Sequence, residues 1–344
     1  MMNQLNMMNQ LNIERVDRIE DVFAMAEILG TGTFGSVYRV KPITAMRTAI
    51  VPVIPLARKK DCSFSCRWRK AVRKLMGCKK RPAAHEAATM TEDPVMIKEV
   101  EDFALKVILP NPNFKKSWME TECVAHSMVS GHPHVVHLHN IFIEDRREGY
   151  YCLQLQLAAG GDLLAHVKSR EDTLSEMAGR EKIVKNMCKQ VASAIRHAHL
   201  RKIIHRDIKL ENIFFTDQSL SHALLGDWGL AAVMKEGSEA RSDPCGSVHY
   251  AAPELFLDDQ YSYAVDMWAL GICVYAVLTG AFPFFGNSHT EICNMIVMGE
   301  YQPIYHTLSV SQACIEVVAG LLEVDPEERL TADELLDHDW ILQD

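Results

Sequence analysis

The densest group of chemically capable side chains lies in IIHRDIKLENIFF, residues 203 to 215. Asp207, Lys209 and Asn212 fall within this stretch, and Asp227 follows fifteen residues after Asn212. One carboxylate can accept or orient an attacking hydroxyl, a second can hold Mg²⁺ together with an amide oxygen, and a lysine can neutralise charge on a moving phosphoryl group. Phosphoryl transfer needs little more from a protein than this positioning and neutralisation. These residue types and their spacing therefore indicate phosphoryl transfer.

A glycine-rich stretch near the N-terminus, LGTGTFGSV, offers a second element for this chemistry. Gly30, Gly32 and Gly35 lie between two short strand patterns, and Val37 belongs to the second. Glycine lets a backbone loop approach phosphate groups closely. The pattern predicts a strand with Ala-x-Lys about fifteen residues later. TAIVPVI stands at that distance, but it places Val51 where the lysine is expected.

Six motifs, taken in their order along the chain, resemble those of the eukaryotic protein kinase family. The resemblance runs from about residue 22 to the last residue and is interrupted at residues 41 to 98. SGHPHVV, CGSVHYAAPE and the last motif look most like the calmodulin-dependent and AMP-activated groups of kinases. The six motifs are GTGTFGSV, HRDIKLEN, DWG, AAPE, DMWALG and DPEERLTADELLDHDW.

The resemblance implies an α+β, two-lobed protein-kinase-like fold with a small β-rich N-lobe and a larger α-helical C-lobe. It also implies an ATP- and Mg²⁺-dependent protein kinase, and Lys209 with Ser247 favours serine and threonine over tyrosine. By this resemblance Asp207 is the catalytic base and Lys209 contacts the γ-phosphate. Asn212 and Asp227 become the Mg²⁺ ligands. The alternative is a pseudokinase, a binding or scaffolding module that keeps the fold without transferring phosphate.

The resemblance also suggests where the missing lysine lies. In kinases the strand with the lysine leads directly into the helix with its glutamate partner, and FALKVI is followed at once by such a helix pattern. TAIVPVI leads instead into a run of basic residues. We therefore predict Lys106 as the phosphate-binding lysine and Glu122 as its partner, with Glu120 as the alternative. The basic run then interrupts a hairpin, at a loop-closure cost that rises only logarithmically with length.

An adenine pocket is a further implication of the resemblance. Leu155 becomes the gatekeeper at its back, and backbone groups of Gln156 and Ala158 hydrogen-bond the base. Apolar residues at these positions would otherwise be equally consistent with a hydrophobic core. The remaining pocket residues are Val37 and Ala104, which cover the base, and Phe214, which lies beneath it.

Other matched positions carry structural rather than catalytic expectations. His205 is expected to pack and hydrogen-bond in the core, and Arg206 to anchor the activation segment. Glu254 is expected to pair with Arg329 in a structural salt bridge. Trp228 replaces the usual phenylalanine of the metal motif and keeps its apolar packing role, so activity should survive this change.

Composition and charge describe an ordinary folded chain with one unusual segment. Apolar residues make up 48% of the sequence, charged residues 24%, and the net charge is −9. Residues 58 to 81 contain eleven Lys or Arg and one acid, so this segment alone carries +10. We predict a disordered tail at residues 1–21 and a kinase domain at 22–344, with the N-lobe at 22–157 and the C-lobe at 158–344.

The sequence favours a cytoplasmic or nuclear protein. No secretory signal precedes the ten scattered cysteines, which is typical of reduced thiols. Residues 267 to 286 carry no charge over a membrane-spanning length. Asp266 precedes them, and Gly280 and Pro283 interrupt their end, so a buried central helix is predicted. We expect a monomer that acts on protein substrates and binds no specific nucleic acid.

The basic insertion, about residues 41 to 98, has several possible partners. Trp68 and Leu75 fall on one helical face with basic residues around them. Such a helix could contact an anionic membrane, calmodulin or an import receptor, and the alternative is a solvated loop. Cys62, Cys66 and Cys78 are candidate zinc ligands, but no second close pair of cysteines accompanies them.

Three acids bear on substrates and regulation. Asp162 and Glu211 match positions where related basophilic kinases bind an arginine upstream of the phosphoacceptor, although Asp162 could also cap a helix. Asp243 lies two residues before Cys245, where many related kinases carry an activating phosphothreonine. A fixed negative charge there could order the activation segment without phosphorylation. The alternatives are an exposed loop acid at Asp243 and phosphorylation of Ser242.

Overall fold

The computed structural model divides the chain into two compact units. One comprises Met1–Pro42 and Asp102–Asp344, and the other comprises Ile43–Glu101. The second unit contains the basic insertion, and its residues 44 to 100 lie outside the described residues. The structure describes residues 7–32, 35–43, 101–108, 116–145, 150–169, 177–234, 248–257, 262–304 and 310–343.

A six-stranded sheet and one helix form the N-terminal part of the first unit. Every neighbouring pair of strands is antiparallel except the pair that the first strand makes with the fifth. The elements are β1 (Ile13–Val16), β2 (Phe23–Gly32), β3 (Gly35–Pro42), β4 (Phe103–Ile108), α1 (Lys116–Val129), β5 (Leu138–Glu144) and β6 (Tyr150–Gln156), and the strands lie in the spatial order β1-β5-β6-β4-β3-β2.

Alternate residues of this sheet face two different apolar clusters, as the two-residue period of a strand requires. In β4, Ala104 and Ile108 belong to the cluster that contains Met119 of helix α1. Leu105 belongs to the cluster on the other face. Lys106 stands between Ala104 and Ile108 by this alternation and is 7% exposed. A lysine is thus directed to the buried side that faces helix α1.

The insertion interrupts a pair of adjacent strands. Val37 of β3 lies opposite Lys106 of β4 in the antiparallel register. The chain leaves the sheet after Pro42 and returns at Phe103. The second compact unit therefore lies within a hairpin, and its boundaries differ by a few residues from the range of 41 to 98 that the sequence suggests.

The N-terminal segment is not a disordered tail from residue 7 onward, so that prediction is wrong for residues 7 to 21. Ile13 of β1 lies opposite Ile141 of β5 in a parallel pair. Met8 is 8% exposed and Ile19 is 3% exposed. The methionine and isoleucine side chains in this polar stretch are buried against the sheet, and that burial offsets the entropy lost on ordering the segment.

The C-terminal part is mainly helical, and the predicted α+β fold with a β-rich N-lobe and a helical C-lobe is confirmed. Short strands form a three-stranded sheet and a two-stranded sheet beside the helices. The helices are α2 (Leu163–Ser169), α3 (Met177–His199), α4 (Ala264–Thr279), α5 (His289–Met298), α6 (Gln312–Leu321), α7 (Ala332–Leu336) and α8 (Asp339–Leu342). The strands are β7 (Gly161–Asp162), β8 (Ile203–Ile204), β9 (Ile213–Phe215), β10 (Ala223–Leu225) and β11 (Ala232–Val233).

Helix α4 is the buried central helix predicted for the uncharged stretch. All of its residues from Val265 to Leu278 are buried. The helix ends at Gly280, whose φ of 78° lies in the left-handed region that favours glycine. In the described ranges, no helix combines the length and the apolar character needed to cross a membrane. Absence of charge in this stretch therefore reflects burial in the protein core.

Candidate active site

The loop between β8 and β9 holds a group of mutually bonded side chains. Lys209 Nζ donates to Asp207 Oδ2 at 2.7 Å. Asn212 Nδ2 donates to the Asp207 carbonyl at 2.7 Å and to Asp207 Oδ2 at 3.0 Å. Asp207 is 7% exposed and Asn212 is 4% exposed. Both donors lie within five residues of Asp207, so one tight turn, at Leu210–Asn212, brings them together.

The backbone of this loop is tied to a buried carboxylate of helix α4. The N–H groups of His205 and Arg206 donate to Asp266 Oδ2 at 2.8 Å and Oδ1 at 2.9 Å. Arg206 has a φ of 66°, which is uncommon outside glycine, and these bonds hold it there. Burial alone would raise the pKa of Asp266, but the bond from His199 Nε2 at 2.9 Å and the interactions with His205 together outweigh burial and lower it.

His205 connects the loop to the segment that carries the second acid. The Asp207 N–H donates to His205 Nδ1 at 3.3 Å, and His205 Nε2 donates to the Gly226 carbonyl at 3.0 Å. The imidazole ring lies 4.5 Å from the ring of Trp228, which is fully buried. His205 therefore packs and hydrogen-bonds in the core, and Trp228 keeps an apolar packing role, as expected.

Asn212 and Asp227 are brought near each other by the antiparallel pair of β9 and β10. The Gly226 N–H donates to the Asn212 carbonyl at 3.0 Å. Because the amide nitrogen of Asn212 is bonded to Asp207, its Oδ1 atom is the end that can serve as a ligand. Asp227 contributes a carboxylate. Oxygen donors of this kind suit Mg²⁺, which binds few protein ligands and keeps water or phosphate oxygens in its other positions.

Lys106 meets two carboxylates that come from distant parts of the chain. Its Nζ atom lies 2.5 Å from Glu122 Oε1 and 2.7 Å from Asp227 Oδ1. Glu122, rather than Glu120, is thus the glutamate of helix α1 that meets the lysine. A Cβ atom at Gly229 would lie 3.2 Å from both Asp227 Oδ1 and Glu122 Oε2. A side chain at residue 229 would therefore crowd the ion cluster.

The opposite charges of Lys106 and Asp227 stabilise each other's charged forms in this cluster. Burial disfavours the Lys106 ammonium, but the carboxylates of Asp227 and Glu122 outweigh burial and raise the pKa of Lys106. Burial likewise disfavours the Asp227 carboxylate, but Lys106 outweighs it and lowers the pKa of Asp227 to about 2. Burial raises the pKa of Glu122, because the attraction of Lys106 does not fully offset it. A protonated lysine therefore remains present at neutral pH.

The three glycines of the glycine-rich stretch lie at the end of β2 and the start of β3, and β3 pairs with β4, the strand that carries Lys106. Gly32 lies opposite Gly35 in the register, and Gly30 lies opposite Val37 after an irregularity in the pairing. A Cβ atom at Gly35 would lie 1.9 Å from the carbonyl oxygen of Val107 on β4, so only glycine fits there. At Gly30 a Cβ atom would meet nothing within 4 Å. The glycine-rich stretch is thus packed closely on β4 at Gly35 and is open at Gly30.

The apolar residues predicted around a base share one cluster. Leu157, which the sequence did not single out, packs against the same cluster. The Gln156 N–H donates to the His137 carbonyl at 2.8 Å, so a base could contact the backbone of Gln156 only through its carbonyl. The predicted residues in this cluster are Ala104 and Leu155, which are buried, and Val37, Ala158 and Phe214, which are partly buried.

A buried bidentate ion pair stabilises the C-terminal part of the helical lobe. Arg329 Nη1 and Nη2 donate to Glu254 Oε1 and Oε2 at 2.8 Å and 3.0 Å. Arg329 is 2% exposed and Glu254 is 3% exposed. The predicted structural salt bridge is confirmed.

The acids proposed to bind substrate arginine make local contacts. Asp162 Oδ1 accepts a hydrogen bond from the Ala165 N–H at 2.8 Å, so the helix-cap alternative for Asp162 is observed at the start of α2. Glu211 Oε2 accepts a hydrogen bond from the Tyr250 hydroxyl at 3.4 Å. Asp243 and its neighbour Ser242 lie outside the described residues.

Asp266 holds the loop of the candidate site, although the sequence analysis predicts no role for it there. In the sequence it stands out only as a charge that precedes an apolar stretch. A signal was present, because a single acid at the start of a helix with no other charged residue is expensive to bury unless it has partners. Its carboxylate is 1% exposed and receives the bonds that hold the catalytic loop.

Comparison with known families agrees with this geometry. The family model described as the protein kinase domain matches residues 93–341, which is more than half of the chain. The matched range begins after most of the insertion, so the glycine-rich hairpin lies outside it. The hairpin is nevertheless part of the same sheet, because β3 pairs with β4.

The relatives of known function are protein kinases by name, and the name of one specifies serine and threonine. A calcium and calcium/calmodulin-dependent serine/threonine-protein kinase of Lilium longiflorum is 36% identical over 222 residues, 63% of this chain and 40% of the lily protein. A calcium/calmodulin-dependent protein kinase of Emericella nidulans is 33% identical over 61% of this chain and 49% of its own length. MAP kinase-activated protein kinase 2 of Mus musculus is 31% identical over 71% of this chain and 62% of its own length. The chain thus spans between two fifths and two thirds of these relatives.

Proposed function

This chain belongs to the eukaryotic protein kinase family, and we propose that it transfers the γ-phosphate of ATP to serine or threonine residues of proteins. The observation that carries the proposal is the ion cluster in which Lys106 meets both Glu122 and Asp227. In kinases the lysine can bind the phosphates of a nucleotide only when it is paired with its glutamate. That pairing requires the strand that carries the lysine and the helix that carries the glutamate to lie side by side. A cluster of this kind favours a kinase over a pseudokinase.

Each catalytic-loop residue has a distinct task in the proposed reaction. Asp207 accepts the proton of the substrate hydroxyl while the hydroxyl oxygen forms a bond to the γ-phosphorus. The bond from that phosphorus to the bridging oxygen breaks, and ADP leaves. Lys209, which is bonded to Asp207 in the structure, lies within reach of the charge that moves with the phosphoryl group. Its ammonium favours the transition state over the ground state.

Asn212 and Asp227 are proposed to hold Mg²⁺. The fit rests on the Asn212 amide, whose nitrogen is committed to Asp207 and whose oxygen is thereby oriented as a ligand. The ion's contribution, when bound, is to neutralise negative charge on the phosphates. Lys106 is proposed to bind the same phosphates from the sheet side, above the apolar cluster that includes Leu155 and Phe214.

A preference for arginine three residues before the phosphoacceptor is a finer proposal. Glu211 supports it more strongly than Asp162, since one carboxylate oxygen of Asp162 already caps helix α2. A carboxylate in a partly desolvated groove recognises a guanidinium with good geometry and charge. The two residues then form the upstream subsite together, with Glu211 as the main contributor.

A peptide-library phosphorylation assay with the purified chain tests both proposals. Wild type should phosphorylate serine or threonine peptides with ATP and Mg²⁺. The Asp227→Asn protein, assayed in parallel, should be inactive. Activity in the Asp227→Asn protein equal to wild type would contradict the proposed metal ligand. Absence of transfer by wild type, with ATP still bound, would favour the pseudokinase. The arginine subsite is refuted if wild type shows no preference for a basic residue three positions before the phosphoacceptor. It is also refuted if the double variant Asp162→Ala with Glu211→Ala keeps the preference of wild type.

Two regions outside the described residues remain sequence-based proposals. The relatives named for calmodulin give one reason to test calmodulin on the basic insertion, alongside anionic vesicles and an import receptor. Asp243 is proposed to replace an activating phosphate. Phosphatase-treated protein should then keep its activity, and Asp243→Ala should lower that basal rate. The proposal for Asp243 is refuted if phosphatase treatment abolishes the activity of wild type and the untreated Asp243→Ala protein is as active as untreated wild type.

A further inference from the structure

We propose that the N-terminal segment, residues 7 to 16, positions helix α1, and that Met8 is a positioning residue for the pair of Lys106 and Glu122. The inference rests on the proposed kinase function, in which that pair presents the lysine to phosphates. It goes beyond that function, because neither the site nor the matched family range includes residues 7 to 16.

The first observation is the register of the sheet. Ile13 of β1 lies opposite Ile141, Ile141 lies opposite Leu153, and Leu153 lies opposite Lys106. Residues directly opposite each other in a sheet point to the same face. Ile13 therefore stands on the same face as the lysine, three strands away, and strand β1 extends the surface against which helix α1 packs.

The second observation is the burial of the segment before β1. Met8 is 8% exposed and shares an apolar cluster with Met119 and Cys123 of helix α1. Tyr151 of β6 belongs to the same cluster. Leu11 is partly buried against it. The segment thus fills part of the space between the helix and the sheet.

Tyr151 of β6 is close to both elements. It lies opposite Ile143 of β5, which lies opposite Arg15 of β1, and it shares the apolar cluster of Met119 and Cys123 on helix α1. Burial raises the pKa of its hydroxyl to about 12, the charges of Glu120 and Cys123 on helix α1 add to that effect, and Arg15 of β1 opposes it. Groups from both elements must lie near one hydroxyl to act in this way. The tyrosine therefore lies between the helix and the N-terminal strand.

Helix geometry transmits this packing to the ion pair. Successive residues of a helix are separated by about 100° of rotation, so Met119 and Cys123, four residues apart, lie on one side of the helix. Glu122 precedes Cys123 by one residue and therefore points about 100° away from it around the helix axis. Holding the apolar side against the segment consequently sets the direction in which Glu122 points. Glu122 Oε1 reaches Lys106 Nζ at 2.5 Å in this orientation. Loss of the segment would leave the helix freer to rotate or shift.

The sequence supplies a matched control for this idea. Residues 1 to 6 and residues 7 to 12 are both MMNQLN. Deleting residues 1 to 6 leaves one copy of the hexapeptide in its native spacing before Ile13. Deleting residues 1 to 12, with an initiating methionine retained, removes Met7, Met8 and Leu11. The two truncated chains therefore differ only in the segment at issue.

Hydrogen exchange and peptide phosphorylation should be measured on both truncated chains. Removal of residues 1 to 12 should speed exchange in residues 116 to 129, leave residues 203 to 215 protected, and lower kcat/KM by about 5- to 150-fold relative to the control. A synthetic peptide of residues 1 to 18 should restore both properties when added in trans. The same peptide with Met8→Asp should fail to restore them.

Single substitutions keep the test valid if the longer deletion does not fold. Met8→Leu should behave as wild type, and Met8→Asp should reproduce the deletion. Equal exchange in residues 116 to 129 of the two truncated chains would overturn the proposal. Faster exchange spread over both lobes would also overturn it, because that result indicates general destabilisation. If the control chain transfers no phosphate, the proposed function fails, while the exchange comparison still decides the positioning role.

Discussion

The site consists of two halves that are assembled in different ways. The catalytic-loop half contains Asp207, Lys209 and Asn212, which bond to one another across two to five residues of sequence. The other half, called the nucleotide half after its proposed role, contains Lys106, Glu122 and Asp227. In that half, Lys106 is 16 residues from Glu122 and 121 residues from Asp227. One half is local in sequence, and the other requires a strand, a helix and a loop to meet.

This difference indicates which half a conformational change would affect. The catalytic loop is fixed by its own turn, by two backbone bonds to Asp266 and by bonds to Gly226, and all of these partners belong to the helical lobe. The nucleotide half depends on the position of helix α1 relative to the sheet. Conformational switching acts through elements with two arrangements. We therefore expect regulation to act on Lys106 and Glu122, and the catalytic loop to stay constant.

The largest effect is expected for Asp207, the proposed catalytic base. Asp207→Asn should lower turnover by about 10²–10⁴-fold, because no carboxylate then accepts the hydroxyl proton. The melting temperature and the affinity for ATP should stay close to wild type, since asparagine preserves the shape and the local bonds. Peptide phosphorylation, thermal melting and nucleotide binding measure the three quantities. A wild-type rate in this variant would remove Asp207 from the mechanism.

The next effect concerns the nucleotide half. Lys106→Met should lower kcat/KM by about 10²–10³-fold, because the ammonium no longer stabilises charge on the phosphates. It should also lower the melting temperature, since the buried Glu122 loses its cation. Val51→Ala is the control at the position where the lysine was missing, and it should retain activity. Near-wild-type turnover by Lys106→Met would show that another residue grips the phosphates.

A smaller effect is expected when the attachment of the catalytic loop to Asp266 is weakened. This change should leave the nucleotide half unaltered. Asp266→Asn keeps the size of the side chain but replaces one acceptor oxygen with a donor. It should cost about 1–3 kcal/mol of unfolding free energy and lower turnover, because one backbone N–H of the loop loses its partner. The KM for ATP should remain unchanged. An increase in that KM with unchanged turnover would contradict the division into two halves.

The effect that is smallest at neutral pH is a pH dependence of stability that His126 of helix α1 contributes. Burial lowers the pKa of His126 to about 4, below its ordinary value of 6.5, so the unfolded chain binds more protons between these values. Stability should therefore be complete above pH 6.5 and fall as the pH drops towards 4, by up to about 1.4 kcal/mol per pH unit. Chemical denaturation at several pH values measures this slope. His126→Gln, which can still donate to the Val136 carbonyl, should show a shallower slope.

The local half of the site could be predicted from sequence alone. Asp207, Lys209 and Asn212 occur in a motif whose spacing suffices to bring the side chains together in one turn. The prediction of Lys106 depended on element order, since a strand that leads directly into a helix identifies the lysine even after a long insertion. The buried pair of Glu254 and Arg329 was predictable in the same way, from two family motifs.

Other features required the tertiary structure because they have no local pattern. Strand β1 forms only because Ile13 and its neighbours find β5, which lies more than 120 residues away, and its polar flanks suggested disorder. Glu120 and Glu122 are both plausible partners for Lys106 until the packing of helix α1 sets its rotation. The role of Asp266 likewise depends on how helix α4 meets the catalytic loop. Short-range spacing thus specifies the groups that perform the chemistry, whereas long-range packing sets the direction in which each of them points.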